Sequence, residues 1–323
     1  MKDIELYPQQ QTLIPNIATL PSFKLLIRSI VTLGVCSGFT IPASAQITYE
    51  SGKAAAQPTP GTFNILISEG KQTGGNVFHS FGTFGLQTNQ VANFEANNSV
   101  QNILGRVTGG LPSSIDGTLR VGSNANLYLM NPAGIVFGKN AALNINGAFT
   151  ATTARAIDFG NGNWFNALGA NIYTELKGNP IGFAFPGSTP GSIFSAATFD
   201  ASPLDPSNTA RVRQTAKPEQ SITLVGGTVI STGDIKTVGG NISIATVEGG
   251  KYVKIKSEGN ILSLNLPINL QPEIAKNIAA DATAFTPPLL PVLLTGDTTK
   301  TLATEGERVT FAMSIYAQAT LRD

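Results

Sequence analysis

Cysteine is almost missing from this chain: it occurs once, at Cys36. Histidine also occurs once, at His79, and only 13% of the 323 residues are charged, against about a quarter in an average globular protein. Each scarcity removes a class of function. A zinc centre needs three or four His or Cys ligands at short spacing, which leaves no metal site of that kind and no cofactor to expect. A Ser-His-Asp or Cys-His catalytic set would have to be built on His79 alone. With 21 Lys and Arg against 20 Asp and Glu, the formal net charge is +1. No global field draws the protein to nucleic acid or to an anionic membrane surface.

What is present begins with a leader. Lys24 and Arg28 bracket the start of an apolar run that extends to Ile41 and closes with Pro42-Ala43-Ser44-Ala45-Gln46. A positive region, a short apolar region and an Ala-x-Ala site predict a secretory signal peptide over 1–45, cut between Ala45 and Gln46. The run is interrupted by Arg28, Gly34 and Ser37, and is too short for a spanning helix of about 20 residues. Cys36 lies inside the leader, with Val35 a poor fit to a lipidation signal. The mature protein would then hold together without disulfides, by core burial and backbone hydrogen bonds.

After the lead-in SGKAAAQPTPG (51–61), short β-type runs alternate with Gly and Asn: 63–68, 76–81, 100–107, 118–121, 126–130, 135–138 and 142–149. Alternation with period two is clear in Leu119/Val121, Leu127/Leu129, Ile135/Phe137 and Leu143/Ile145. Connections this short leave no room for crossover helices, so a sandwich, a barrel and a β-solenoid remain. Seven Asn between 101 and 154 (102, 124, 126, 131, 140, 144, 146) favour the solenoid, because stacked Asn side chains can hydrogen-bond from coil to coil. Residues 161–220 are rich in Pro, Ser and Gly and read as an irregular excursion, flexible from about 200 to 218. The β pattern returns from 221 to 266, where Val225-Gly226-Gly227 and Val238-Gly239-Gly240 form an imperfect repeat on adjacent sides of a coil. Beyond Pro267 a short amphipathic helix is expected over 271–284, on Ile274 and Ile278, within a tail (267–323) that has no evident role.

Secreted β-solenoids include enzymes that cleave sugars, so paired carboxylates are the next test. The densest β segment, 101–154, holds one carboxylate, Asp116, with Arg106, Arg120 and Lys139. Asp200 and Asp205 fall in the excursion. Glycine pairs such as Gly109-Gly110 lack the Lys-Ser/Thr that a phosphate cradle needs and read as turns. No catalytic set emerges.

Three stretches carry a resemblance: GGNVFHSFGTF (74–84), VQNILGRVTGGLPSSIDGTLRV (100–121) and ANLYLMNPAGIVFGKNAALNINGAFTATTA (125–154). Together they resemble the N-terminal secretion domain of the filamentous haemagglutinin family, the exported proteins of two-partner secretion, in its cyanobacterial-type branch. The likeness covers about 46–266. The family's Asn-Pro-Asn-Gly-Ile element stands here as Asn131-Pro132-Ala133-Gly134-Ile135. Its upstream Asn-Pro-Asn-Leu element corresponds to Asn97-Asn98-Ser99-Val100, without the proline. The resemblance implies a right-handed parallel β-helix, with the excursion and tail as its irregular parts. It also implies a partner: an outer-membrane barrel transporter whose periplasmic domains recognise this region unfolded. The product would be a protein secreted through the periplasm of a Gram-negative-type cell, or held at its surface, with an adhesin-like role toward a host or neighbouring cell. The alternatives are a secreted polysaccharide-active β-helix and a truncated copy of a larger adhesin. By local chemistry alone, Asn131-Pro132-Ala133-Gly134 predicts a type I turn. It is read here as a corner that shapes the coil, with recognition spread along the neighbouring strands.

Overall fold

The computed structural model describes residues 47–187, 189–200, 220–237, 240–258, 261–264 and 268–269, with Ile278, Pro287 and Leu293 as single positions. The leader with its Ala45/Gln46 cut, the stretch expected to be flexible and the helix expected over 271–284 lie outside these residues, apart from Ile278 and the first member of the 200–218 span.

From Thr62 the chain runs round a coil of three sides. Side one stacks Asn76–Thr83, Asn102–Val107, Asn126–Met130, Phe149–Thr152, Ile222–Gly226 and Ile242–Thr246 in parallel. Side two stacks Ser113–Ile115, Ile135–Phe137, Ser192–Ser195 and Thr228–Ser231. Side three stacks Thr62–Ile65, Val91–Phe94, Thr118–Val121 and Ala142–Ile145; Phe199–Asp200 and Ile235–Lys236 form a further parallel pair. Bonded positions on successive coils stand 26, 24, 22 and 20 residues apart, except that Phe149 pairs with Ile222, beyond the excursion. The fold is a parallel β-helix.

Inward-facing positions on side one form a column that includes Val77, Phe81, Ile103, Val107, Leu127, Leu129, Phe149, Ala151, Ile222 and Leu224, all in one buried core. The column ends at Ile242 and Ile244, which are 43% and 49% exposed. At the other end the stack is closed by antiparallel strands. Thr48–Tyr49 and Lys71–Thr73 pair with Asn76–Thr83, and Ala56–Thr59 pairs with Thr62–Ile65. A strand run antiparallel across an edge occupies hydrogen-bonding groups that another chain would otherwise take.

The outer face of side one is buried as well. Phe78, Leu104, Tyr128, Met130 and Val225 pack with Ile157, Phe165, Phe183, Phe185 and Val253. These come from an antiparallel sheet laid over the coil, made of Ala156–Asp158, Trp164–Asn166, Gly182–Phe185 and Lys251–Glu258. The irregular excursion expected over 161–220 is therefore partly a sheet, and the chain is back on side two by Ser192. Two expected strands also break at corners. The run 63–68 turns at Leu66 into a 3-10 segment, Ile67–Glu69. The run 142–149 divides at Gly147, where a Cβ would lie 2.4 Å from Ala125 O.

Candidate functional site

At Asn131 the chain passes from side one to side two. Gly134 N donates to Asn131 O at 3.0 Å, closing a four-residue turn. Neither Pro132 nor Ala133 has a positive φ, as the type I geometry requires. The Asn131 side chain works in two directions. Its Oδ1 accepts from Ala133 N at 2.9 Å within the turn, while its Nδ2 donates to Leu111 O at 3.0 Å and to Ser113 Oγ at 2.9 Å on the preceding coil. Gly134 has φ +120°, which L side chains rarely adopt. Asn131, Pro132, Ala133, Gly134 and Ile135 are all buried.

Asn97 repeats the device at the corner from side three to side one. Val100 N donates to Asn97 O at 3.1 Å, and Asn97 Oδ1 accepts from Ser99 N at 2.9 Å and Ser99 Oγ at 2.6 Å. Here Asn97, Asn98 and Ser99 are exposed, and only Val100 is buried. Both segments are self-bonded Asn turns, but one lies inside the protein and the other on its surface. Asn131→Ala is therefore expected to cost about 3 kcal/mol, because it leaves buried groups unpaired, and Asn97→Ala under about 1 kcal/mol. Urea midpoints of the two variants check the contrast.

An Asn ladder flanks the corner on side one. Asn102 Nδ2 donates to Asn76 Oδ1 at 2.9 Å, Asn126 Nδ2 to Asn102 Oδ1 at 2.9 Å, and Ala148 N to Asn126 Oδ1 at 2.9 Å. Asn76 Nδ2 also reaches Leu176 O and Gly178 O, and Asn102 Nδ2 reaches Asn179 Oδ1. The coil-to-coil bonding expected of the asparagines is present, and it also ties down the overlying loop. On side three Asn93 Nδ2 donates to Asn64 Oδ1 and Arg120 Nε to Asn93 Oδ1. Asp116 sits at a corner with Thr88 and Asn140. Burial pushes its carboxyl up, but hydrogen bonds from Thr88 and Asn140, with the charge of Lys139, hold it below the usual range.

His79 faces the interior of side one, stacked with Phe81 and edge-on to Phe94, and has no exposed surface. It cannot reach a substrate in the folded chain. Neither ring nitrogen has a hydrogen-bond partner. Burial pushes the imidazole down to about 4, against a smaller upward pull from Glu69. A base depressed below its unfolded value stabilises the fold fully above about pH 6.5. That contribution falls as the pH drops toward 4, where the unfolded chain binds a proton that the folded one does not; the total loss is about 3 kcal/mol. His79→Leu should flatten this slope in urea titrations between pH 4 and 7.

The family model described as TPS secretion domain matches residues 45–283. The chain belongs to the two-partner secretion domain family. The match starts where the leader is expected to be cut and runs beyond the 46–266 suggested by the resemblance. The heme/hemopexin-binding protein of Haemophilus influenzae is 28% identical over 145 residues, covering 44% of this chain and 16% of that protein. The crystal structure of the HMW1 secretion domain from Haemophilus influenzae covers 75% of this chain and 49% of its own, at 22% identity and a TM-score of 0.41. The two-partner secretion chain thus spans a small part of the curated relative and about half of the solved one. Sequence reasoning located the family's corner but missed Leu111, Ser113 and Gly191 as its partners, because they come from neighbouring coils. Their trace in the sequence is the Gly or Pro recurring at the entry to side two: Gly109-Gly110, Pro132, Pro190-Gly191 and Gly226-Gly227.

Proposed function

We propose that this two-partner secretion domain directs export through an outer-membrane barrel transporter that engages the chain before it folds. The observation that carries the reading is the burial of Asn131–Ile135. A transporter that reads this stretch has access to it only while the coils are apart. The exposed Asn97 turn is open to recognition in either state, and the flanking strands add main-chain groups along an extended segment.

The build of the protein suits such a route. A chain with its only cysteine in the expected leader carries no cross-link through a narrow pore. Parallel coils, most of them 20 to 26 residues long, can then be added one at a time, each burying its inward face on the last. Stacking energy released outside would bias movement outward. The exported product acts as a secreted or cell-surface protein with an adhesin-like, non-enzymatic role toward a host or neighbouring cell. Among the described residues, the sole histidine is sealed in the core and Asp116 is held by corner hydrogen bonds, which favours the non-enzymatic reading.

The test is expression of the full chain with and without its transporter, followed by assay of the medium. Export is expected only with the transporter, and secretion in its absence would overturn the reading. A slowly folding variant that is exported at the normal rate would count against the stacking-energy step alone.

A further inference from the structure

We infer that His79 is read by the transporter in the unfolded chain, where its imidazole donates to an acceptor that the folded protein does not supply. In the folded protein the ring is sealed on side one against Phe81 and Phe94, with Gly70 packed on its edge: a Cβ there would lie 2.9 Å from His79 Cε1. Its neighbour across the ladder is Gly105, which offers no side chain. Neither ring nitrogen finds a partner, and among the described residues no other side chain holds two such buried atoms. Glu69, whose charge reaches the ring, is bound to Lys53 instead. The other polar residues nearby in the strand are satisfied: Asn76 Nδ2 donates to Leu176 O and Gly178 O, and Ser80 Oγ accepts from Arg106 Nε.

A leucine would fill this place without the cost of two unpaired buried nitrogens. Packing therefore gives no reason for a histidine here, and the reason lies in the other state of the chain, the one that is exported. The inference rests on the export reading. In an extended segment alternate side chains share a face, so Val77, His79 and Phe81 project together as an apolar, a polar and an apolar group. All three face the core once the coil closes. A reader that binds the segment extended would take Val77 and Phe81 into apolar pockets and present a hydrogen-bond acceptor to the imidazole N–H between them. Folding then removes the ring from that acceptor and leaves it orphaned.

The test is export of the full chain with its transporter, read as the amount in the medium, for the parent, His79→Leu, Gly191→Ala and the double variant, with urea midpoints of the folded proteins alongside. His79→Leu is expected to keep or raise the midpoint at pH 7 and to lower export at least fivefold, a split that a structural role would not produce. Export at the parent's rate would overturn the inference while leaving the parent's dependence on the transporter, and so the export reading, intact. A midpoint that falls together with export would make His79 a structural residue and overturn it too. A more stable chain could also fold too soon to be threaded, and the Gly191→Ala background, where the close approach of Pro132 O weakens the fold, separates the two causes. A fivefold deficit that persists between Gly191→Ala and the double variant supports recognition of His79; a deficit that vanishes there belongs to early folding and overturns it.

Discussion

Gly191→Ala is expected to destabilise the protein by about 3 kcal/mol or more, a loss read as a lower urea midpoint with an unchanged slope. Gly191 lies directly over the Asn131 turn on the following coil. A Cβ there would sit 2.3 Å from Pro132 O and 3.1 Å from Gly134 N. Both are backbone atoms, and neither can swing aside as a side-chain tip can. Pro132 is itself held, because Asn131 N donates to Thr152 O and Asn131 Nδ2 to Leu111 O. The methyl group must therefore part the coils or break the turn. Gly227 meets Pro190 O at 2.4 Å in the same way, and Gly109 meets Gly82 O at 2.1 Å, so the close approach recurs up this edge. Gly122→Ala is the control: nothing lies within 4 Å of its Cβ position, and its expected cost is within about 0.5 kcal/mol. A Gly191→Ala midpoint equal to that control would mean that the corners are loosely stacked.

Arg106→Ala should lower stability by about 3 kcal/mol. Arg106 is on side one, faces outward and is 4% exposed. Its Nε donates to Ser80 Oγ at 2.8 Å, and its Nη1 to Asn166 O at 3.0 Å and Gly169 O at 2.7 Å. Nη2 reaches Glu50 Oε2 at 3.0 Å, and the guanidinium carbon lies 5.9 Å from the Phe165 ring centre. One side chain thus joins the first coil, the covering sheet and the N-terminal closing strands. Removing it takes away its bonds to Ser80, Gly169 and Glu50 together, while Asn166 O keeps the Asn171 Nδ2 donor. Arg106→Lys keeps the charge but not the fork of donors, and should recover less than half of the loss. Hydrogen exchange over 164–176 should rise first in both variants. If Arg106→Ala leaves exchange there unchanged, the covering sheet is held by its apolar contacts alone.

Much of the coil was legible in advance because side-chain period survives wherever one strand face is buried and the other wet. Leu119/Val121 and Leu143/Ile145 on side three are of that kind. Side one is different. Asn102–Val107 is buried at every position, since the covering sheet takes its outer face. The sequence trace of that second layer is the denser apolar run NLYLM, in which Tyr128 and Met130 point outward into the cover. Ala156–Asp158, just before the excursion, and Trp164–Asn166, within it, are too short for any period to register.

By itself the sequence determined the short-strand solenoid, the asparagine stacking and the family to which the corner belongs. These rest on local pattern: residue type, spacing and turn chemistry act within a few positions of one another. Only the tertiary structure decided that Asn131–Ile135 is sealed while Asn97–Ser99 stays exposed, although both are Asn turns closed by the same hydrogen bonds. Burial is not a property of the turn. It is set by what the following coil lays over it, and those contacts come from residues far along the chain.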